Sequence, residues 1–151
     1  MAKPTSIKHL TPYKSPDESP GYLLWRVSTR WRSVLEHELQ KFSLTHPQFV
    51  VLATLSWLTH DGAIVSQIEV GRLAGLDPNT TSQIIRGLET KKLIKRLALR
   101  DERSKNPVLT EQGTEILAGA LPAVEQRDSE FFATLTSSEL MQVKQLLQKL
   151  M

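Results

Sequence analysis

The feature that most constrains this chain is a helix that stops and another that restarts within four residues. Gly75-Leu76 ends one helical pattern and Asp77-Pro78 opens the next. Glycine supplies the left-handed residue that closes a helix. Aspartate caps the following helix, and proline takes its first position, where an amide donor is not needed. The first helix has its own start signal, Ser66-Gln67-Ile68-Glu69, in which serine and glutamate satisfy each other's free amides. It holds Ile68, Val70, Leu73 and Ala74. The second runs through NTTSQIIRGLETKKL, with Ile84, Ile85, Leu88 and Thr81 facing inward and Asn79, Thr80, Ser82, Gln83 and Arg86 facing outward. Ile68, Leu73 and Leu76 are expected to buttress Ile84, Ile85 and Leu88. Lys91 and Lys92 suit the negative C-terminal end of that helix.

The flanks read as helices joined by one hairpin. Residues 1–18 are expected to be an irregular arm, since four prolines fall between positions 4 and 20. Ser19-Pro20 opens a helix of about 20 residues, with Leu24, Val27, Trp31, Val34, Leu35 and Phe42 on one stripe. Thr45-His46-Pro47 opens a second, which carries Phe49, Val50, Val51, Leu52, Leu55, Trp57 and Leu58. It is apolar nearly all round and therefore expected to be buried. His46 and His60, at its two ends, are expected at caps or on the surface. Ile64-Val65 is expected to add a short strand. Leu93 to Leu99 reads as a strand, Arg100 to Asn106 as a charged turn, and Pro107-Val108-Leu109 as an edge strand. Thr110 caps a helix with Ile116, Leu117, Ala120, Leu121, Val124 and Phe131 on its stripe and Pro122 as a kink. Thr136 and Glu139 form a further capping box, behind which Leu140, Val143, Leu146, Leu147 and Leu150 share a face.

The expected fold is mainly α with a small β-hairpin, a winged helix-turn-helix. Its second helix presents small donors and acceptors, one amide and one guanidinium. A major groove about 12 Å wide admits such a helix, and Gln and Arg pair bidentately with A and G. Its positive dipole end is expected to face phosphate. Arg100, Arg103 and Lys105 at the hairpin tip add charge that positions without reading sequence. The net charge of +3 is mild, but basic residues outnumber Glu89, Asp101 and Glu102 between Arg86 and Lys105.

Other classes are excluded on composition and motif. The chain has no cysteine, so disulfides, thiolate metal sites and thiol chemistry are ruled out. Its four histidines show no metal-ligand spacing. A nucleophile elbow, a phosphate-cradling glycine loop and HExxH are all missing, so no enzyme and no cofactor is expected. No run of 18 apolar residues occurs, and the start MAKPTSIKHL has no secretory centre, so the cytoplasm is the expected location and no membrane partner is expected.

The string LAGLDPNTTSQIIRGLETKKLIKR, followed by DERSKNPVLTEQG, resembles the MarR (multiple-antibiotic-resistance regulator) family of transcription factors. The wing pattern is present as Asp101, Arg103, Lys105, Leu109, Thr110 and Gly113, and SPGYLLWRVSTRWRSVLEHELQKF and LPAVEQRDSEFFATLTSSEL are similar to the family's flanking helices. The resemblance spans about residues 19 to 150. It implies a homodimer on double-stranded DNA, with Asp101 bracing the wing and Arg103 reaching DNA. The divisions it implies are an arm (1–18), a dimerisation helix (19–44), a winged DNA-binding domain (45–110) and C-terminal dimerisation helices (111–151). The stripe on the last helix supports a dimer independently, because a lobe this size has little interior left to cover it. Gln83 stands where the family often has Arg. Lys92 stands where it often has Gly, so the turn into Leu93 is expected to differ.

The resemblance also suggests a small aromatic or anionic effector. Trp25, Trp31, Phe49 and Trp57 are then expected to line its pocket or to serve as core and interface packing. His37, with Arg26 and Arg30, would meet its anion or form surface ion pairs. The implied activity is a regulator, most often a repressor, of a pseudo-palindromic site. The other readings are a winged helix used only for protein interaction, and a small enzyme.

Overall fold

The structure, a computed structural model, describes residues 8–97 and 106–151. Arg100, Asp101, Arg103 and Lys105 lie outside the described residues. Six helices and one hairpin follow in order: α1 (Pro20–Leu39), α2 (His46–Thr59), α3 (Gln67–Ala74), α4 (Pro78–Thr90), β1 (Ile94–Leu97), β2 (Asn106–Leu109), α5 (Glu111–Phe132) and α6 (Ser137–Lys149). Short 3-10 turns cover Lys8–Leu10, Pro16–Glu18 and Gln40–Phe42. Ile64 and Val65 form no strand; the sheet has two strands only among the described residues.

Local chemistry sets the helix starts. Ser19, Thr45, Ser66, Asp77, Thr110 and Thr136 each cap a helix with a side-chain oxygen. Three are full capping boxes: Thr45 with Gln48, Ser66 with Glu69, and Thr136 with Glu139. α5 continues through Pro122 rather than ending there.

The core is built from Leu35 and Leu39 of α1, Val51, Leu52 and Leu55 of α2, Ile85 and Leu88 of α4, and Leu117 and Ala120 of α5. α2 is buried along most of its length, but Trp57 points outward, 72% exposed. His46 is buried rather than at the surface, with Trp31 edge-on to its ring at 5.0 Å. The buttress between α3 and α4 also differs from expectation. Ile68 and Leu73 are exposed, and the buried contact residues are Val70 and Gly71. A Cβ on Gly71 would lie 2.5 Å from Thr81 Oγ1, so only glycine lets the two helices approach this closely.

α4 ends in a Schellman motif. Lys92 N–H donates to Glu89 O, and Leu93 N–H donates to Leu88 O. Lys92 takes the left-handed position at φ 60°. A lysine here adopts the conformation a glycine would hold without strain. β1 then pairs antiparallel with β2, Ile94 opposite Leu109 and Leu97 opposite Asn106. Thr110 donates to Lys92 O at 2.6 Å, and a Cβ on Gly113 would lie 2.0 Å from Leu93 O. The glycine four residues after Leu109 is thus a steric requirement of docking α5 under the wing.

Two polar ties fasten α1 to α5. Trp31 Nε1 donates to Asp128 Oδ1 at 2.6 Å, and Arg127 Nε donates to the buried Glu38 at 2.8 Å. Lys41 and Arg127 together hold the Glu38 carboxyl below its ordinary range. α6 buries no residue, and Met141, Leu146, Leu147 and Leu150 are exposed. On α1, Leu23, Leu24, Trp25 and Val27 are exposed as well. Among the described residues, no helix is long and apolar enough to cross a membrane.

Replacing Lys92 with glycine should raise unfolding stability by about 1 kcal/mol in denaturant melts, through relief of the left-handed side chain. Gly71→Ala should lower it by about 1–3 kcal/mol through overpacking. Adding Thr81→Ala should recover part of that loss, read as a favourable coupling in a double-mutant cycle. Burial holds His46 below the ordinary value of 6.5, Arg32 pushes the same way, and Glu36 and Asp128 oppose. Below pH 6.5 the unfolded chain therefore binds a proton that the fold resists, and stability falls as pH drops through that window. Between pH 7.5 and 5.5 the thermal midpoint should fall further in the wild type than in His46→Gln.

Candidate nucleic-acid interface

α4 carries the polar face, and Asp77 determines what its first turn offers. Asp77 Oδ1 accepts from the backbone N–H groups of Asn79 and Thr80, each at 3.0 Å, and Oδ2 accepts from the Thr80 hydroxyl. The Thr80 hydroxyl, then its amide, keeps the Asp77 carboxyl below its ordinary range. Two of the free amides at this helix end are therefore already occupied by a carboxylate. A phosphate at this helix end would meet the Asp77 carboxylate and two amides already in use.

Of the five outward residues, Asn79, Gln83 and Arg86 are exposed, and Thr80 and Ser82 are half-buried. The exposed three are spaced by four and three residues, which places them on one stripe. Ser82 Oγ accepts from Arg86 Nη2 at 3.0 Å, which holds the guanidinium along that stripe. Thr81, one position inside, is 1% exposed, and its hydroxyl donates to Asp77 O. The helix thus divides cleanly into a reading side and an anchoring side.

Three anchoring contacts escaped the sequence reading. Gly71 sets the spacing of α3 and α4, as described above. Lys91 does not simply neutralise the end of its own helix: its Nζ donates to Ser43 O at 2.6 Å and to Gln48 Oε1 at 2.8 Å. This joins the end of α4 to the corner between α1 and α2. Arg96 of β1 donates through Nε to Glu89 Oε1 at 2.7 Å and through Nη1 to Gln67 Oε1 at 3.1 Å. A missing side chain carries no hydrophobic signal, and Lys91 and Arg96 reach partners up to 48 and 29 residues away, so periodicity carries no sign of these contacts.

The residues expected to line an effector pocket do not share one wall in the protomer. Phe49 is in the core and Trp31 sits half-buried between Asp128 and His46. Trp25 and His37 are exposed, and exposed Trp57 stacks on His60 at 5.7 Å. Arg26 pairs with Asp17 at 3.8 Å. Two clefts, of about 430 and 420 Å³, lie under the N-terminal arm and between α5 and α6, and none of these aromatic residues lines either.

No family model matches the chain. It is similar to an uncharacterised HTH-type transcriptional regulator of Bacillus subtilis, YdcH, at 35% identity over 135 residues, covering 84% of this chain and 87% of YdcH. It is 32% identical over 136 residues to the HTH-type transcriptional repressor Rv2887 of Mycobacterium tuberculosis, covering 89% and 95%. The structure of Rv2887 with DNA, a MarR family protein also solved with salicylic acid, superimposes with a TM-score of 0.66 at 29% identity over 87% of this chain and 97% of that one. BpsR of Bordetella bronchiseptica, whose DNA binding is regulated by 6-hydroxynicotinic acid, gives a TM-score of 0.81 at 26% identity, covering 93% and 100%. An outward polar stripe on a helix locked against its partner, a hairpin behind it and relatives matched over nearly their whole length lead to one assignment: the chain belongs to the MarR family of helix-turn-helix transcriptional regulators.

Proposed function

We propose that the chain is a homodimeric, cytoplasmic repressor that seats two copies of α4 in successive major grooves of a pseudo-palindromic site. The observation that carries this reading is the stripe of Asn79, Gln83 and Arg86, exposed and backed by buried Thr81, Ile85 and Leu88. Arg86 and Gln83 read base edges. Asn79, Thr80 and Ser82 make close contacts in the groove, and Arg100, Arg103 and Lys105 supply charge for the flanking backbone, with Asp101 bracing the wing. Dimerisation follows from the uncovered apolar residues of α1 and α6. Each leucine-sized side chain taken out of water contributes about 1.5–3 kcal/mol, far more than a surface ion pair. A two-fold pairing places the half-sites about one helical turn apart.

Release by a small aromatic acid completes the proposal. BpsR and Rv2887 were solved in connection with 6-hydroxynicotinic and salicylic acids, both aromatic carboxylic acids. In this chain the side chains suited to answer such a ligand are Trp31 and His46, between α1 and α2, and Phe49 behind them. Trp25, His37 and Trp57 join such a site only through the dimer or a shift of the helices. An effector lowers DNA affinity only to the extent that it binds the DNA-free arrangement better, because the coupling is reciprocal.

Selection of bound sequences from a random duplex pool tests the reading. An enriched two-fold repeat with half-sites about 10 base pairs apart is expected. Arg86→Ala should then cost about 1–3 kcal/mol on the selected site and relax preference at one position per half-site. A monomer at micromolar concentration, or a pool enriched without any repeat, would contradict it.

A further inference from the structure

The described strands of the wing are short and partly built into the core, with Ile94, Asn106 and Pro107 buried. Each strand has four residues, and β1 joins α4 through Lys91, Lys92 and Leu93, with Lys92 left-handed. A two-stranded ribbon of this length is marginal without packing against another element. Arg96 adds a polar attachment from mid-strand to the packing that those buried residues make. Its planar fork reaches Glu89 on α4 and Gln67 at the start of α3 at once. The Arg96 and Glu89 side chains are 21% and 29% exposed, so water screens the pair less than an ordinary surface pair. Two bonds from one rigid guanidinium fix orientation as well as distance. None of the three residues lies on the reading stripe.

We propose that Arg96 is a positioning residue for DNA binding. By clamping β1 to both helices of the helix-turn-helix, it sets the angle between the hairpin and α4. The strand that Arg96 clamps is then held in register with the helix that reads the bases. The inference rests on the DNA-binding reading above and adds a residue that acts through the wing rather than by touching bases.

Charge gives the test its sign. Glu89 is an acid three residues from Arg86 on the reading helix, so on charge alone its removal strengthens attraction to a polyanion. Positioning demands the opposite. In the full-length protein, Glu89→Gln should weaken binding to the selected duplex about fivefold or more and lower the salt slope by about one unit, the loss of roughly one phosphate contact. Amide exchange at Lys95, Leu97 and Val108 should quicken in the DNA-free variant, with its thermal midpoint confirming the fold. Swapping the pair, as Glu89→Arg with Arg96→Glu, should recover part of the affinity. If Glu89→Gln does not fold, Gln67→Ala carries the test, with a smaller loss of the same sign. Binding by these variants as tight as, or tighter than, the wild type with an unchanged salt slope overturns the proposal. A wild type that ignores every duplex removes the regulator reading and the positioning role together, whereas a wild type that binds beside an unaffected Glu89→Gln removes only the positioning role.

Discussion

The close approach of α3 and α4 at Gly71 and Thr81 is the contact on which the rest of this architecture depends. A helix can offer a fully polar face to a partner only if its other face is held without that partner's help. Thr81, Ile85 and Leu88 supply the held face, and the missing side chain at Gly71 lets α3 lie close enough to cover Thr81. The Thr81 hydroxyl is satisfied internally by Asp77 O, so burying it leaves no orphaned group. Stop and restart at Gly75 and Asp77 make the angle between the helices a local property of the chain.

The ends of the chain follow a different economy. α1 splits along its length: its second half buries Leu35 and Leu39 in the core, and its first half leaves Leu23, Leu24, Trp25 and Val27 in water. α6 buries nothing at all. A helix of 13 residues without tertiary support is marginal in water. The apolar face of α6 and the bare half of α1 are the parts of the protomer that its own core leaves uncovered. One protomer is a winged lobe with apolar faces of α1 and α6 left exposed.

Helix boundaries were legible in the sequence because they are written locally. Ser19-Pro20, Ser66 with Glu69, Asp77-Pro78, Thr110 and Thr136 with Glu139 each satisfy amides within three residues, and every one of them starts a helix. The outward stripe was legible for the same reason, through its 3.6-residue period. What failed was the assignment of apolar residues to partners. Ile64 and Val65 have strand-forming side chains but pair with no strand among the described residues. Ile68 and Leu73 flank the buried side of α3, where the real contact is a glycine that no hydrophobicity pattern marks. Trp57 sits on a helix that read as buried all round, yet it is exposed in the protomer while its neighbour Leu58 packs against the core. Lys91 and Arg96 were read as charges, and their partners 43 and 29 residues away turned them into joints.

Those joints also determine how a signal could travel from the chain ends to the reading face. α1 is bound to α5 by Trp31 with Asp128 and by Glu38 with Arg127. α2 begins against that seam, with His46 packed on Trp31 and Gln48 closing the cap. Lys91 then carries the corner to α4 by gripping Ser43 O and Gln48 together. Separation of α1 from the start of α2 would pull apart the two acceptors that Lys91 holds. The ammonium can follow one of them but not both, and a flexible lysine follows at little cost, so this end of α4 yields by degrees. At Arg96 the planar fork has no such slack. Motion of α4 therefore takes β1 with it, because one rigid guanidinium holds strand and helices together.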